Sequence, residues 1–333
     1  MEKVVILGAG TWGTALANLL ASKDVDVVLY TRFEEECEQY TSTRKHPHLP
    51  GATINLNIKI TCDIKKALKD RDVVLIATPS LYVRETAERI KPLVNKNQIF
   101  ITVSKGIEKD TMMSMSEIIK DVLGKEYKVV ALSGPTHAEE VSIGLPTAIV
   151  SASKDEKAAE VIQNLFATPY MRVYHNSDIK GVELCGALKN IIALASGMSS
   201  GLGYGDNAIA AIVTRGLAEI TRLGLKMGCR QETFSGLTGI GDIVVTATSR
   251  HSRNNRAGQL LGQGYSLEET LKEVGMVVEG INALDAAKEL EEKYKVEMPI
   301  VNAVYSVVRE GVKPLDAVNA LFSRKQISEL TGK

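Results

Sequence analysis

Lys189 stands inside an otherwise apolar, helix-compatible run, ELCGALKNIIALASG. Burying an ammonium there is costly unless it is paired, and desolvation lowers its pKa towards the range in which it both donates and accepts a proton. Asp242, in the glycine-rich stretch GLTGIGDIVVTATS, is available to orient such a lysine; it also reads as an ordinary turn aspartate after Gly241. Ser252, Arg253 and Asn254 place a hydroxyl, a guanidinium and an amide side by side ahead of a helix-like segment, a composition suited to phosphate or to a solvated basic loop. Lys105 follows the strand-like IFITV, and Gly134 and Thr136 close the next strand, where glycine admits a close backbone approach and threonine offers a hydroxyl to a ligand oxygen. His137, beside them, reads as a turn residue rather than a base, because no partner for it is evident.

The N-terminal VVILGAGTWGTALANLL carries Gly8, Gly10 and Gly13 in G-x-G-x-x-G register between a strand and a helix. The first glycine permits the turn, the second lets backbone approach a pyrophosphate and the third lets the helix pack closely, while free N–H groups at the helix start face the phosphates. A dinucleotide site is expected. Where an NAD-selective site has an acid at the end of the second strand, this chain has Tyr30, Thr31 and Arg32. Arg32 can pair with a 2′-phosphate, so NADPH is expected to be preferred over NADH; the alternative is a solvated arginine paired with Glu34–Glu36.

The elements that must hold these residues are readable from periodicity. Apolar, β-branched runs at Val4–Leu7, Val25–Tyr30, Val73–Ala77, Ile99–Val103, Val129–Leu132, Thr147–Ser151 and Met171–Tyr174 alternate with helix-like stretches, the pattern of a parallel sheet with crossover helices. Several of these runs stop at the polar or glycine-rich clusters named above, and the C-terminal edges of such strands are where open α/β sheets bind ligands. Beyond His175 the strand-like runs nearly vanish. A helix with Asp206 as N-cap and Gly224 as stop, and another starting at Pro299, are expected from i, i+3, i+4 apolar spacing. The fold class is therefore α/β, with an N-terminal doubly wound domain over 1–180, a helical C-terminal domain over 181–333, and a long helix from about Asp178 joining them.

Forty basic and forty acidic residues cancel, which removes the long-range field of a nucleic-acid binder and leaves anionic ligands to local charge. Cys37, Cys62, Cys185 and Cys229 form no C-x-x-C pair, so neither a metal site nor a redox dithiol is expected. The uncharged stretch between Lys3 and Lys23 is interrupted by Gly8, Gly10, Thr11, Gly13, Thr14 and Asn18, and no secretory signal pattern precedes it. These features predict a cytoplasmic protein without membrane insertion.

Taken in order, GAGTWGTALA, VSKGIE, SGPTHAEEV, ELCGALKNIIALASGM, GLTGIGD, HSRN and VVEG resemble the bacterial type of NAD(P)-dependent glycerol-3-phosphate dehydrogenase along essentially the whole chain. The resemblance implies a Rossmann domain plus a helical domain, usually as a homodimer. It implies reversible reduction of dihydroxyacetone phosphate to sn-glycerol 3-phosphate for phospholipid synthesis, with Lys189 as acid/base. Substrate positions would be Lys105, Gly134, Thr136, Lys189, Asp242, Ser252, Arg253 and Asn254. Cofactor positions would be Gly8, Gly10, Thr11, Trp12, Gly13, Arg32, Lys105, Ala138, Arg253, Val277 and Glu279. A β-hydroxyacid dehydrogenase shares the plan but usually carries Asn or Asp four residues after the lysine, where this chain has Ala193. A catalytically silent NADPH-binding sensor would have no need of Lys105, Lys189, Asp242 and Arg253 together.

Overall fold

The computed structural model describes residues 2–326 and Ser328, so the outermost residues of the two expected units lie outside the description. One eight-stranded sheet occupies the first half: β1 (Lys3–Leu7), β2 (Asp26–Tyr30), β3 (Lys59–Thr61), β4 (Val73–Ile76), β5 (Ile99–Thr102), β6 (Lys128–Ser133), β7 (Thr147–Ala152) and β8 (Met171–Asn176), in the order β3-β2-β1-β4-β5-β6-β7-β8. The central strands are apolar throughout because helices cover both faces. Alternate residues of β4, Val73 and Leu75 against Val74 and Ile76, enter two separate cores.

Two features of the sheet depart from the sequence reading. β3 is an additional edge strand of three residues, too short and too polar to stand out in KIT. The sheet is also not parallel throughout, since β6 and β7 pair antiparallel, with Ser133 opposite Val150 and Ala131 opposite Ala152. The connection between them holds only the five-residue helix Ala138–Ser142, so the chain turns at the upper edge of the sheet and descends directly. β8 then runs parallel to β7, and both end at the lower edge.

From there the helix Ile179–Gly201 climbs beside β6. Asp178 caps it, accepting from Gly181 N at 3.1 Å, and Ile179 and Val182 pack on Ala131, Val150 and Ala152. No further strand follows among the described residues. Most of the later helices pack around this one, so that every residue from Val182 to Ser199 is buried whatever its side chain. A helix at Pro299–Glu310 forms as expected. The helix Asp206–Lys226 corrects both expected ends. Gly205 takes the cap position and Asp206 lies in the first turn, while Gly224 sits within the helix, where a Cβ would come within 2.1 Å of the Phe234 ring. Gly224 thus makes room for an aromatic side chain rather than stopping the helix.

Candidate active site

The turn after β1 opens a cleft of ≈ 640 Å³ along the upper edge of the sheet, within the range of small-molecule sites. Gly8 has φ +120°, and a Cβ there would lie 2.8 Å from the Ala77 carbonyl oxygen; a Cβ on Gly13 would lie 2.0 Å from the Gly8 oxygen. Above Gly10 the space is open to 4 Å, and the helix Thr11–Ala21 begins beside it. Thr11 and Trp12 line the cleft, as do Tyr30, Thr31 and Arg32 from the end of β2. Two hydroxyls in this wall, Tyr30 Oη and Thr78 Oγ1, are buried without a hydrogen-bond partner. Glycine turn, free helix N–H groups and orphaned hydroxyls together fit a dinucleotide.

Arg32 does not pair with Glu34, Glu35 or Glu36. Its Nη1 lies 3.6 Å from Glu85 Oε1, and its guanidinium lies over the rings of Phe33 and Tyr82. Glu36 instead accepts a hydrogen bond from Thr31 Oγ1 at 2.6 Å.

At the other end of the cleft one carboxylate holds two ammonium groups. Asp242 is fully buried; its Oδ2 accepts from Lys105 Nζ at 2.7 Å and its Oδ1 accepts from Lys189 Nζ. Lys105 also donates to the Gly134 carbonyl at 3.0 Å, and Gly134 has φ +151° with Ile149 close behind it. Lys189 donates in addition to Thr246 Oγ1 at 2.7 Å, while Thr246 donates to the Asp242 carbonyl at 2.6 Å. Burial holds the Lys189 ammonium down to about 7, against the opposing pull of Asp242 and with the charge of Lys105 adding to the depression. Two cations against one anion leave the cleft floor positive, and the lysine can give up or take a proton near neutrality.

The helix Arg253–Gly262 brings the third group. It lies so close to Ile179–Gly201 that only glycines fit between them: a Cβ on Gly197 would come within 2.1 Å of the Asn255 oxygen, and one on Gly258 within 2.2 Å of the Leu194 oxygen. Gly201 and Gly262 continue the same seam. This contact sets Ser252, Arg253 and Asn254 beside Lys189. Ser252 Oγ caps the helix by accepting from Asn255 N at 3.1 Å. Asn254 donates to Asn190 Oδ1 at 3.0 Å and accepts from Gly280 N at 2.9 Å. Arg253 is exposed and has no ion-pair or hydrogen-bond partner among the described residues, an uncommitted guanidinium facing the cleft.

Of the residues singled out from sequence, Gly8, Gly10, Thr11, Trp12, Arg32, Lys105, Thr136, Ala138, Lys189, Ser252, Arg253, Asn254, Val277 and Glu279 line this one cleft. Gly13, Gly134 and Asp242 stand behind its wall. Thr136 Oγ1 is turned to the Gly134 carbonyl at 3.2 Å, and Ala138 opens the short helix after β6. Glu279 accepts from Ser80 N at 3.0 Å and Ser80 Oγ at 2.5 Å, joining the helical half to the end of β4. Asn190 and Thr246 also line the cleft and were not singled out; the signals were there in the neighbour of Lys189 and the residue one turn beyond Asp242. His137 Nε2 is buried without a partner, and burial followed by the charge of Lys189 lowers its pKa. Among the described residues no group of three or more His, Cys, Asp or Glu is arranged to hold a metal ion, and no helix is long and apolar enough to cross a membrane.

Residues 3–159 match the family model for the N-terminus of NAD-dependent glycerol-3-phosphate dehydrogenase, and residues 178–319 match that for its C-terminus. The chain is 52% identical over 336 residues to a glycerol-3-phosphate dehydrogenase (NAD(P)+) 2 of Lactobacillus delbrueckii subsp. bulgaricus, covering 99% of this chain and 100% of that one. It is 48% identical over 333 residues to a glycerol-3-phosphate dehydrogenase (NAD(P)+) of Bacillus subtilis, covering 99% of this chain and 96% of the other. The crystal structure of a glycerol-3-phosphate dehydrogenase from Coxiella burnetii superposes with a TM-score of 0.93 at 36% identity, covering 97% of this chain and 99% of the other.

Proposed function

The chain belongs to the NAD-dependent glycerol-3-phosphate dehydrogenase family, and from that membership and the geometry of the cleft we propose how its residues divide the work. It is an NAD(P)-dependent oxidoreductase that interconverts dihydroxyacetone phosphate and sn-glycerol 3-phosphate. The observation that carries the assignment of roles is the pair of lysines on Asp242, set between a glycine-turn dinucleotide site and an uncommitted arginine.

Gly8, Gly10 and Gly13 with the start of the helix Thr11–Ala21 receive the pyrophosphate, Trp12, Ala138, Val277 and Glu279 line the remaining cofactor path, and Arg32 meets a 2′-phosphate, so that NADPH is preferred. A nicotinamide held by these residues would supply the hydride for C2 of the ketone. As negative charge develops on the C2 oxygen, Lys189 in its protonated form gives that oxygen a proton, and Lys105 stabilises the charge electrostatically. Asp242, buried beneath both, keeps the ammonium groups fixed and aimed upward. Gly134 holds Lys105 through its carbonyl, and Thr136 offers its hydroxyl to the substrate. Arg253, with the free O–H of Ser252 and the amide of Asn254, grips the substrate phosphate and also reaches the cofactor. Binding energy from that remote phosphate orients the carbonyl for attack.

Residues 1–180 would thus supply the dinucleotide turn and 181–333 the catalytic lysine and the phosphate grip, each half adding residues to the other's ligand, in a cytoplasmic homodimer that supplies glycerophospholipid synthesis. The direct test is loss of NADPH absorbance on adding dihydroxyacetone phosphate, set against unphosphorylated dihydroxyacetone. Equal rates with the two ketones would remove the phosphate-gripping role of Arg253, Ser252 and Asn254.

A further inference from the structure

We propose that Glu85 sets the coenzyme preference by acting as an internal anion on Arg32, which a 2′-phosphate has to displace and which NADH leaves in place. The inference rests on the reading of Arg32 as the residue that meets the 2′-phosphate.

Arg32 is positioned before any ligand arrives. Its guanidinium lies 5.0 Å from the centroid of the Phe33 ring and 5.5 Å from that of Tyr82, so aromatic faces confine it while one nitrogen reaches Glu85 at 3.6 Å. Both partners of that ion pair are about half exposed, which makes it exchangeable rather than a fixed structural link. Glu85 and Arg32 both line the cleft, so a phosphate monoester arriving at Arg32 meets the carboxylate as well. Such a group carries about −1.5 to −2 charge at neutral pH, so Glu85 opposes it by occupying its partner and by like-charge repulsion.

Glu85 also has a second partner waiting. The helix Val83–Ile90 carries Arg89 one turn beyond it, and glutamate four residues before arginine is the favoured order for a helical pair. Among the described residues Arg89 makes no ion pair; it lies over the Tyr30 ring at 5.7 Å from the centroid and lines the same end of the cleft. A Glu85 displaced from Arg32 thus has Arg89 within helical i,i+4 reach. The other acid at this end, Glu36, accepts from the Thr31 hydroxyl through one oxygen and makes no ion pair with Arg32. The arrangement admits both coenzymes and grades between them.

The test is direct binding of NADPH and of NADH to the full chain without substrate, followed by nicotinamide fluorescence or calorimetry, at low and high ionic strength. Glu85→Gln keeps the size and polarity of the side chain and removes the charge. It is expected to tighten NADPH by about 2–5-fold, the scale of an exposed ion pair, to leave NADH essentially unchanged, and to lose most of the gain at high salt. No tightening of NADPH, or an equal change for both coenzymes, overturns the proposal. Arg32→Ala separates it from the reading beneath. If that variant keeps the wild-type ratio of affinities, Arg32 does not read the 2′-phosphate. If it loses the ratio while Glu85→Gln changes nothing, Arg32 keeps its role and Glu85 does not. In the double variant the gain from Glu85→Gln should vanish, and its survival would show that Glu85 does not act through Arg32.

Discussion

Lys105 Nζ, carried on the loop after β5, donates at 2.7 Å to Oδ2 of Asp242, a carboxylate of the helical half with no exposed surface. The same carboxylate takes Lys189 on its other oxygen, so the two halves of the chain share one anion directly beneath the proposed point of reaction.

Replacing that anion should expose both dependencies at once. Asp242→Asn leaves two ammonium groups against each other and removes the charge that favours protonation of Lys189, a loss of the kind that breaks buried ion pairs. The variant is expected to lose at least about 10²-fold in kcat, with the pH profile of what remains moved to lower pH. A profile that stays where the wild type has it would mean that Asp242 does not govern the titration.

With Lys189 in the proposed acid/base role, the pH dependence of the reaction follows from its own titration. Burial lowers its ammonium from 10.5 to about 7, so the proton donor for carbonyl reduction is lost as pH rises through that value. For reduction kcat/KM should therefore fall above pH about 7, while for alcohol oxidation it should rise over the same interval. Lys189→Ala is expected to abolish this limb together with about 10²-fold or more of the turnover, leaving NADPH affinity little changed. Near-normal turnover in that variant would take Lys189 out of the acid/base role.

Arg253 has no ion-pair or hydrogen-bond partner among the described residues, so its removal costs little folding stability. Arg253→Ala should raise the KM for dihydroxyacetone phosphate by about tenfold or more, the scale of a charge-assisted pair, and weaken NADPH by a smaller factor. A change in kcat with KM unaltered would argue that the guanidinium acts on the transition state alone.

Glu183 and Glu219 give the fold its own pH dependence. Glu183, wholly buried, accepts from Ser116 N and Ser114 Oγ, both at 2.7 Å, and from Ser116 Oγ; Glu219 accepts from Ile300 N at 2.8 Å at the start of the helix Pro299–Glu310. Burial raises each carboxyl from 4.5 to about 7, so both bind a proton in the folded state over an interval where the unfolded chain does not. Their contribution is present below pH about 4.5 and is lost as pH rises through about 7. Urea unfolding of Glu183→Gln should show a smaller decline between about pH 5 and 8 than the wild type. An equal decline would place the titration elsewhere.

The glycine seam offers a prediction about packing. Adding one methyl group by Gly197→Ala sets a Cβ 2.1 Å from the Asn255 oxygen, so the helix carrying Arg253 must move outward. Destabilisation of about 1–3 kcal/mol by denaturant unfolding is expected, with a raised substrate KM. Unchanged stability would mean that the two helices separate freely.

Much of this architecture is local and therefore legible in sequence. Gly8 and Gly13 sit between a strand and a helix, Lys189 interrupts an apolar run, and seven strands show as short runs rich in apolar and β-branched residues. What escapes is set by partners distant along the chain. β3 forms because Lys59–Thr61 finds the free edge of β2. Gly224 reads as a stop until Phe234 is placed against it, and Gly197 with Gly258 becomes a contact only when two helices cross. Asn190 and Thr246 were overlooked because their meaning depends on Asn254 and on Lys189. Arg32 follows β2 directly, as its place in the sequence predicts, but its partner Glu85 lies on a helix after β4, beyond the reach of local spacing.

The reversal between β6 and β7 turns the joining helix into a ruler. Because β8 ends at the lower edge, the helix from Asp178 passes Ser133 at Gly186 and brings Lys189 out at the cleft on the next turn. An α-helix neither stretches nor compresses, so one residue inserted or removed between Asp178 and Lys189 would rotate the ammonium by about 100° and shift it by about 1.5 Å. The length of that short segment is as restrictive as the identity of the lysine at its end. A chain that varies freely in its loops has to preserve this count.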